Sequence, residues 1–356
     1  MTPFRWTLAV ISFAAAIGVS LYIVQSSWPA AQAAVSPSAL TQLALLTIAL
    51  LELGARGAKF RLSASALRIP MTFGTALRAS AGGEFGAAIT PARTGAEPAR
   101  FLIMTEAGMP PANILLVIFA ELFLEMISLA LIAAAMFVVF RSSGAMILGM
   151  AGLVALYAAF VLGSGAIGYA LSSRHTSGPP PGWARWIGLN AKRWPSVQRS
   201  LGQLRDGIAG MREVRWGMAG AALFASLAHM ALRLAILPVI VYSFGESAPV
   251  APLILWPIAL TYGAVVAPVP AGGGAVEVAF KAALGGAIPP HIFGAALIWW
   301  RFYTFYLYVI LGALVAGGTV LRALREDDER APVTAAGSAS AGGPAGPAVN
   351  PGGAVR

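Results

Sequence analysis

Apolar runs of about twenty residues follow one another along the chain, and polar positions gather in a few short gaps between them. A run of that length crosses a hydrocarbon core of about 30 Å as a helix. Residues 6–25, 38–54, 112–140, 145–171, 216–244 and 291–321 each predict one full span. Residues 69–108 and 249–288 are also apolar, but proline, glycine and charge interrupt them. The pattern predicts an all-α, polytopic membrane protein with about six full transmembrane helices and two further broken segments.

Composition strengthens this reading. Of 356 residues, 58% are hydrophobic and 11% charged, and the mean hydropathy is +0.76. Soluble domains carry about 25% charged residues. Cysteine is absent, so thiol catalysis, disulfides and cysteine metal sites are excluded. The net charge of +10 is read as basic residues in cytoplasmic loops facing anionic inner-leaflet lipid, not as a nucleic-acid surface. Arg5, the group Arg56, Lys59, Arg61 and Arg68, the loop 172–215, and Arg322 with Arg325 are expected on the cytoplasmic side. That loop holds eight Lys/Arg against Asp206 and Glu213. The near-neutral linkers 26–37 and 245–250 are expected outside, and both termini in the cytoplasm. "AQA" at 31–33 resembles a cleavage site, but the preceding apolar stretch suits an uncleaved anchor. The sidedness closes if 69–108 and 249–288 each return to the side they left, as re-entrant helical hairpins. Ten full crossings satisfy the same parity.

An offset of 179 residues brings the two broken segments into register. It superposes Pro91-Ala92 on Pro270-Ala271, Gly95-Ala96 on Gly274-Ala275, Phe101 on Phe280, and Pro110-Pro111 on Pro289-Pro290. The expected repeat units are 38–140 and 216–321, each reading span, hairpin, span. They start on opposite sides, which makes an inverted repeat of the kind found in secondary transporters. Bare backbone at a break survives only inside protein or beside water. Each helix restart offers free N–H groups suited to an anion. Thr94 and Glu97 have the spacing of a capping box at the first restart, and Gly272-Gly273-Gly274 precede the second.

Charges inside spans cost roughly 2.5–3.5 kcal/mol each on insertion scales, so they need partners or a function. Glu121 and Glu125 share a helix face, as do His229 and Arg233. Arg301 sits in the last span, Arg78 and Glu84 in the first hairpin, and Glu277 just after the second break. Arg93, Glu97 and Arg100 flank the first break. Internal salt bridges from Glu121 and Glu125 to Arg233 and Arg301 are expected, as an intramembrane charge network. His175, His229 and His291 lie in three distant segments, so no metal site is expected. No cofactor is expected either, and no G-x-x-x-x-G-K-S/T loop occurs.

"TPARTGAEPARFLIMTEAG" carries the spacing T-P-x-x-x-G-x-E-P-x-R. "PVPAGGGAVE" is followed about 25 residues later by "WWRFYTFY". In this order and spacing the two resemble the lysylphosphatidylglycerol synthase transmembrane-region family, also called flippase-like domain proteins, over about residues 5–322. The resemblance implies a bacterial inner-membrane domain (1–324) that moves a lipid between leaflets. It points to Pro91, Gly95, Glu97, Arg100, Pro270, Gly272, Gly273, Glu277 and Arg301. Arg93 and Gly274 join them as substrate-binding candidates from their place at the breaks. Where many relatives have Glu-Arg-x-x-Asp, this chain has Glu121-Leu122-Phe123-Leu124-Glu125, which alters that site's charge. Fused relatives add a soluble aminoacyl-transferase domain. Here a stand-alone membrane domain is expected, with a disordered low-complexity tail over 325–356.

Val197, Leu201, Leu204, Ile208 and Met211 recur at helical spacing between arginines. They predict an amphipathic helix on the inner leaflet, with an ordinary loop or a partner-docking helix as alternatives. The leading functional expectation is a lipid transporter and not an enzyme. A phospholipid, a hopanoid and a polyprenyl-phosphate-linked lipid all remain open as substrates. An intramembrane lipid-modifying enzyme and a non-catalytic scaffold are the alternatives. Sidedness is directly testable. Cysteines at Ser196 and Ser338 should resist an impermeant thiol reagent in intact spheroplasts and react after lysis. Labelling without lysis would reverse the orientation.

Overall fold

The computed structural model describes residues 36–90, 93–140, 144–174, 194–210, 213–263 and 275–315, with positions 179 and 318. The expected first span, the tail 325–356, Pro91, Pro270, Gly272, Gly273, Gly274 and His175 lie outside the described residues. What is described is helical, with no strand. The helices are α1 (Ala39–Ala66), α2 (Phe73–Ala88), α3 (Ala96–Glu106), α4 (Pro111–Val139), α5 (Gly144–Arg174), α6 (Trp194–Gly210), α7 (Trp216–Ser243), α8 (Val250–Gly263), α9 (Ala275–Leu284) and α10 (Pro290–Arg301). α10 runs through a π-helical segment, Phe302–Tyr306, to complete a span ending at Val315.

Among the described residues five helices are long and apolar enough to cross a membrane: Ala39–Ala66, Pro111–Val139, Ala151–Ser172, Trp216–Ser243 and Pro290–Val315. Their outer faces carry large apolar side chains such as Leu43, Leu50, Phe137, Phe160 and Phe224, all exposed. The protein is thus a polytopic helical membrane protein. The first broken segment is two helices packed side by side, α2 and α3. At 1.5 Å per residue they are about 24 and 16 Å long, each too short to cross alone. α8 and α9 form the corresponding second pair.

Two pairs of helix starts share the offset read from the sequence. Ala96 and Ala275 start α3 and α9, Pro111 and Pro290 start α4 and α10, and both pairs are 179 residues apart. Proline suits a first helical position because its missing N–H has no intrahelical partner there.

Two expectations need correction. The second span does not end at 54. α1 continues to Ala66, about 42 Å in all, and Arg56 and Lys59 are buried within the bundle instead of facing the cytoplasm. Its charged positions Glu52, Arg56 and Lys59, with Ser63, recur every three or four residues, so they share one inward face. The amphipathic helix forms as α6, but its apolar face does not lie free on a leaflet. Leu204 and Ile208 pack against the cluster of Met109, Leu116 and Val117, and α6 rests on α4 and α5.

Small residues let α2 sit at the centre. A Cβ on Gly86 would meet the carbonyl oxygen of Gly95 at 2.4 Å, and one on Gly95 would meet that of Gly86 at 2.5 Å. A Cβ on Gly312, in the last span, would meet the Ala81 carbonyl oxygen at 2.3 Å. Close backbone approach of this kind is how membrane helices associate.

Among the described residues three helix ends use a left-handed residue: Gly108 after α3, Gly245 after α7 and Arg68 after α1. Around Arg68 the Ile69 amide bonds the Ala64 carbonyl and the Arg68 amide bonds that of Ser65, the paired pattern that normally takes glycine. Arginine with φ near 60° costs about 1–2 kcal/mol there.

Gly86→Ala should destabilise the folded protein by about 1–3 kcal/mol, the range for overpacking. Gly152→Ala, where an added Cβ meets nothing within 4 Å, should leave it within about 0.5 kcal/mol. Thermal unfolding in one detergent compares the two.

Candidate functional site

Five acids and five bases meet inside the bundle. α1 contributes Glu52, Arg56 and Lys59, α2 Glu84, the turn after α2 Arg93, and α3 Glu97 and Arg100. α4 contributes Glu121 and Glu125, and α7 Arg233. Lys59 Nζ lies 2.5 Å from Glu121 and 2.9 Å from Glu125. Arg56 pairs with Glu52 on its own helix and with Glu84 on α2 at 2.5 Å. Arg93 Nη2 donates to the other oxygen of Glu84 at 2.9 Å. Arg100 Nη1 donates to Glu97 at 2.6 Å and reaches Glu121 at 3.5 Å. Arg233 reaches Glu52 at 3.4 Å and donates to the Thr304 carbonyl at 2.9 Å. That carbonyl belongs to the π-helical segment, a distortion common at functional sites.

Aromatic groups close the lattice. Tyr262 of α8 donates to Glu125 at 2.7 Å. Arg56 and Arg233 both stand over the Tyr308 ring, 5.4 and 5.6 Å from its centroid, and Tyr308 anchors its hydroxyl on the Ala49 carbonyl at 3.0 Å. Arg100 lies over Phe60 at 5.2 Å. These faces attract the guanidinium groups.

The expected partners of Glu121 and Glu125 are therefore corrected. Their cations are Lys59 and Arg100, not Arg233 and Arg301. Arg301 is 2.7 Å from Glu277, the carboxylate in the first turn of α9, and lies 4.4 Å over Phe305. The distance makes an ion pair. The capping box is also corrected. The N-cap of α3 is Gly95, with no side-chain cap. Thr90 takes over part of that role: its hydroxyl accepts from the Gly95 amide at 2.7 Å and donates to the Gly86 carbonyl at 2.8 Å. Gly95 thus has a packing reason as well as its place at the break. Arg93 holds φ near 57°, a left-handed position rare for arginine, and places its guanidinium on Glu84.

Sequence reasoning missed Glu52 and Tyr262 and misplaced Arg56 and Lys59. The periodic spacing on α1 was the available signal. Among the described residues no group of three or more His, Asp or Glu has the arrangement of a metal site.

Among the described residues several buried atoms of the lattice have no hydrogen-bond partner: Glu52 Oε2, Arg56 Nε, Glu97 Oε2, Arg100 Nε and Arg233 Nε, and Nδ1 of His229 has none either. Such atoms need water or a bound polar group. The charges balance while the hydrogen bonding does not, which leaves capacity for a polar guest.

Lys59→Met should leave Glu121 and Glu125 without their ammonium partner, costing about 3–5 kcal/mol, as for a broken buried pair. Arg78→Met, at the exposed pair with Glu106, should cost less than about 1 kcal/mol. Equal thermal shifts for the two would refute the central place of Lys59.

A family model described as the lysylphosphatidylglycerol synthase TM region matches residues 7–312. No curated protein matches the chain.

Proposed function

The chain belongs to the lysylphosphatidylglycerol synthase transmembrane-region family, and on that premise we propose that it moves a lipid between leaflets, with the headgroup received at the buried charge lattice beside the first hairpin. The observation that carries this reading is the set of unpartnered polar atoms on Glu97, Arg100, Glu52 and Arg233 within a membrane bundle. Ten ionised groups are expensive in this setting, and well-packed apolar residues often hold a bundle at least as firmly. Arg100 presents fixed donors suited to a phosphate or carboxylate, and Glu97, half-exposed on its side chain, gates that guanidinium by pairing with it. Arg301 and Glu277 form the matching pair at the second hairpin. In this reading both hairpins are re-entrant, the termini are cytoplasmic, the membrane is the bacterial inner membrane, and the lipid leaves covalently unchanged.

The equal number of acids and bases also favours a second reading, in which the lattice only holds the helices together. The two diverge on Glu97→Gln and Arg301→Gln. In proteoliposomes carrying a fluorescent anionic lipid, each change should slow leaflet exchange at least about tenfold, equivalent to about 1.4 kcal/mol in the barrier, while the protein stays folded. Exchange at the parent rate in both folded variants would leave the structural reading. A covalently altered lipid in the same vesicles would point to an enzyme.

A further inference from the structure

We infer that the surface cavity where α1 turns into α2 binds a phosphate-bearing lipid headgroup, at a site separate from the buried lattice. Two adjoining hollows of about 580 and 390 Å³ open there and share Ser65, Ile69 and Pro70. Their charged walls are Arg61, Arg68 and Arg215. Among the described residues no acid lines the hollows. Glu213 reaches Arg68 at 3.4 Å with both side chains more than 60% exposed, a contact too weakly held to neutralise the site. Ile69, Met71 and Met109 are the larger apolar side chains of the same lining. Guanidinium groups and apolar side chains on one hollow, at the end of a membrane helix, fit a lipid whose phosphate is held while its chains stay in the bilayer.

The backbone supports this assignment independently. Among the described residues Gly108 and Gly245 take the left-handed position at their helix ends, and the end on the cavity takes Arg68, in a conformation uncommon for arginine. Glycine satisfies the same pair of capping hydrogen bonds, so the fold does not need the Arg68 side chain. Arg68 lines the same hollow as Arg215. That residue is fixed by its own backbone, whose amide donates to the Ala66 carbonyl at 3.0 Å. The last turn of α1 therefore holds two guanidinium groups on one hollow, and two such forks suit a phosphate. Thr72 Oγ1 accepts from the Thr75 amide and shares a hydrogen bond with the Thr75 hydroxyl, and the charged donors on the hollows are the arginines.

The test uses the full chain in phosphatidylcholine nanodiscs, with short-chain phosphatidylglycerol and inorganic phosphate as separate probes. Arg68→Gly and Arg215→Gln should each weaken phosphatidylglycerol binding at least about tenfold, the lower end for a lost charge-assisted bond. Arg68→Gly should unfold at the parent temperature or above it. Inorganic phosphate binding with the same sensitivity to both variants would identify a free anion as an equal source, and its failure to bind would leave the lipid headgroup. Parent-like binding of both probes in both variants, or a lowered unfolding temperature in Arg68→Gly, would overturn the proposal. Arg100 and Arg301 are untouched, so failure here leaves the transport reading standing.

Discussion

A single ammonium group, fully buried on α1, sets the terms for the rest of the bundle. Lys59 has no exposed surface and stands between two carboxylates of α4. Dehydrating those ions costs several kcal/mol each, recovered only when the geometry holds them together. One turn earlier Arg56 binds α2 through Glu84, and Glu52 receives Arg233 from α7. α1 is therefore the axis on which the first hairpin, α4 and α7 are aligned. The lattice is neutral as a set, so moving one helix by a turn would strand charges on several others. This makes the arrangement specific even where its net stabilisation is small.

The repeated frame and the ionic site have different origins. Helix starts recur after 179 residues, at Ala96 and Ala275 and at Pro111 and Pro290. The charges do not recur. Positions Arg100, Glu121 and Glu125 correspond to Ala279, Trp300 and Thr304. The first segment, 38–140, carries nine of the ten lattice charges, whereas the apolar cluster including Phe280, Phe293, Trp300 and Tyr308 is built mainly from 216–321. The second segment reaches the ions of the first through Arg233 on Glu52, Tyr262 on Glu125 and the Tyr308 ring beside Arg56. Helix starts share an offset between the two segments, whereas the ionic groups gather on the first, apart from Arg233 and the pair of Glu277 and Arg301.

Much of this was legible in the sequence. Span length and the rarity of charge gave the helical membrane class, and Gly/Pro breaks located the short helix pairs. The end of α1 was not legible from hydropathy, because Glu52, Arg56, Lys59 and Arg61 lower the average just where the helix continues. Their spacing of three and four marked an inward face, visible only once the helix was taken past 54. The partners of Glu121 and Glu125 were hidden for a different reason. Lys59 is more than sixty positions away, and nothing local ranks it above Arg233 or Arg301. Thr94 and Glu97 had the spacing of a cap, yet the tight approach of Gly86 and Gly95 decided the turn, with Thr90 supplying the hydroxyl.

The central claim is that the lattice holds a lipid headgroup on atoms the protein leaves unpaired. Native mass spectrometry of protein released gently from its own membrane tests it most directly. The parent should retain one lipid class with an anionic headgroup. Arg100→Gln, folded and of parent-like helical content, should lose it while keeping the annular lipids. The same lipid retained at the same occupancy by both proteins would contradict the account and leave the buried charges a structural role alone.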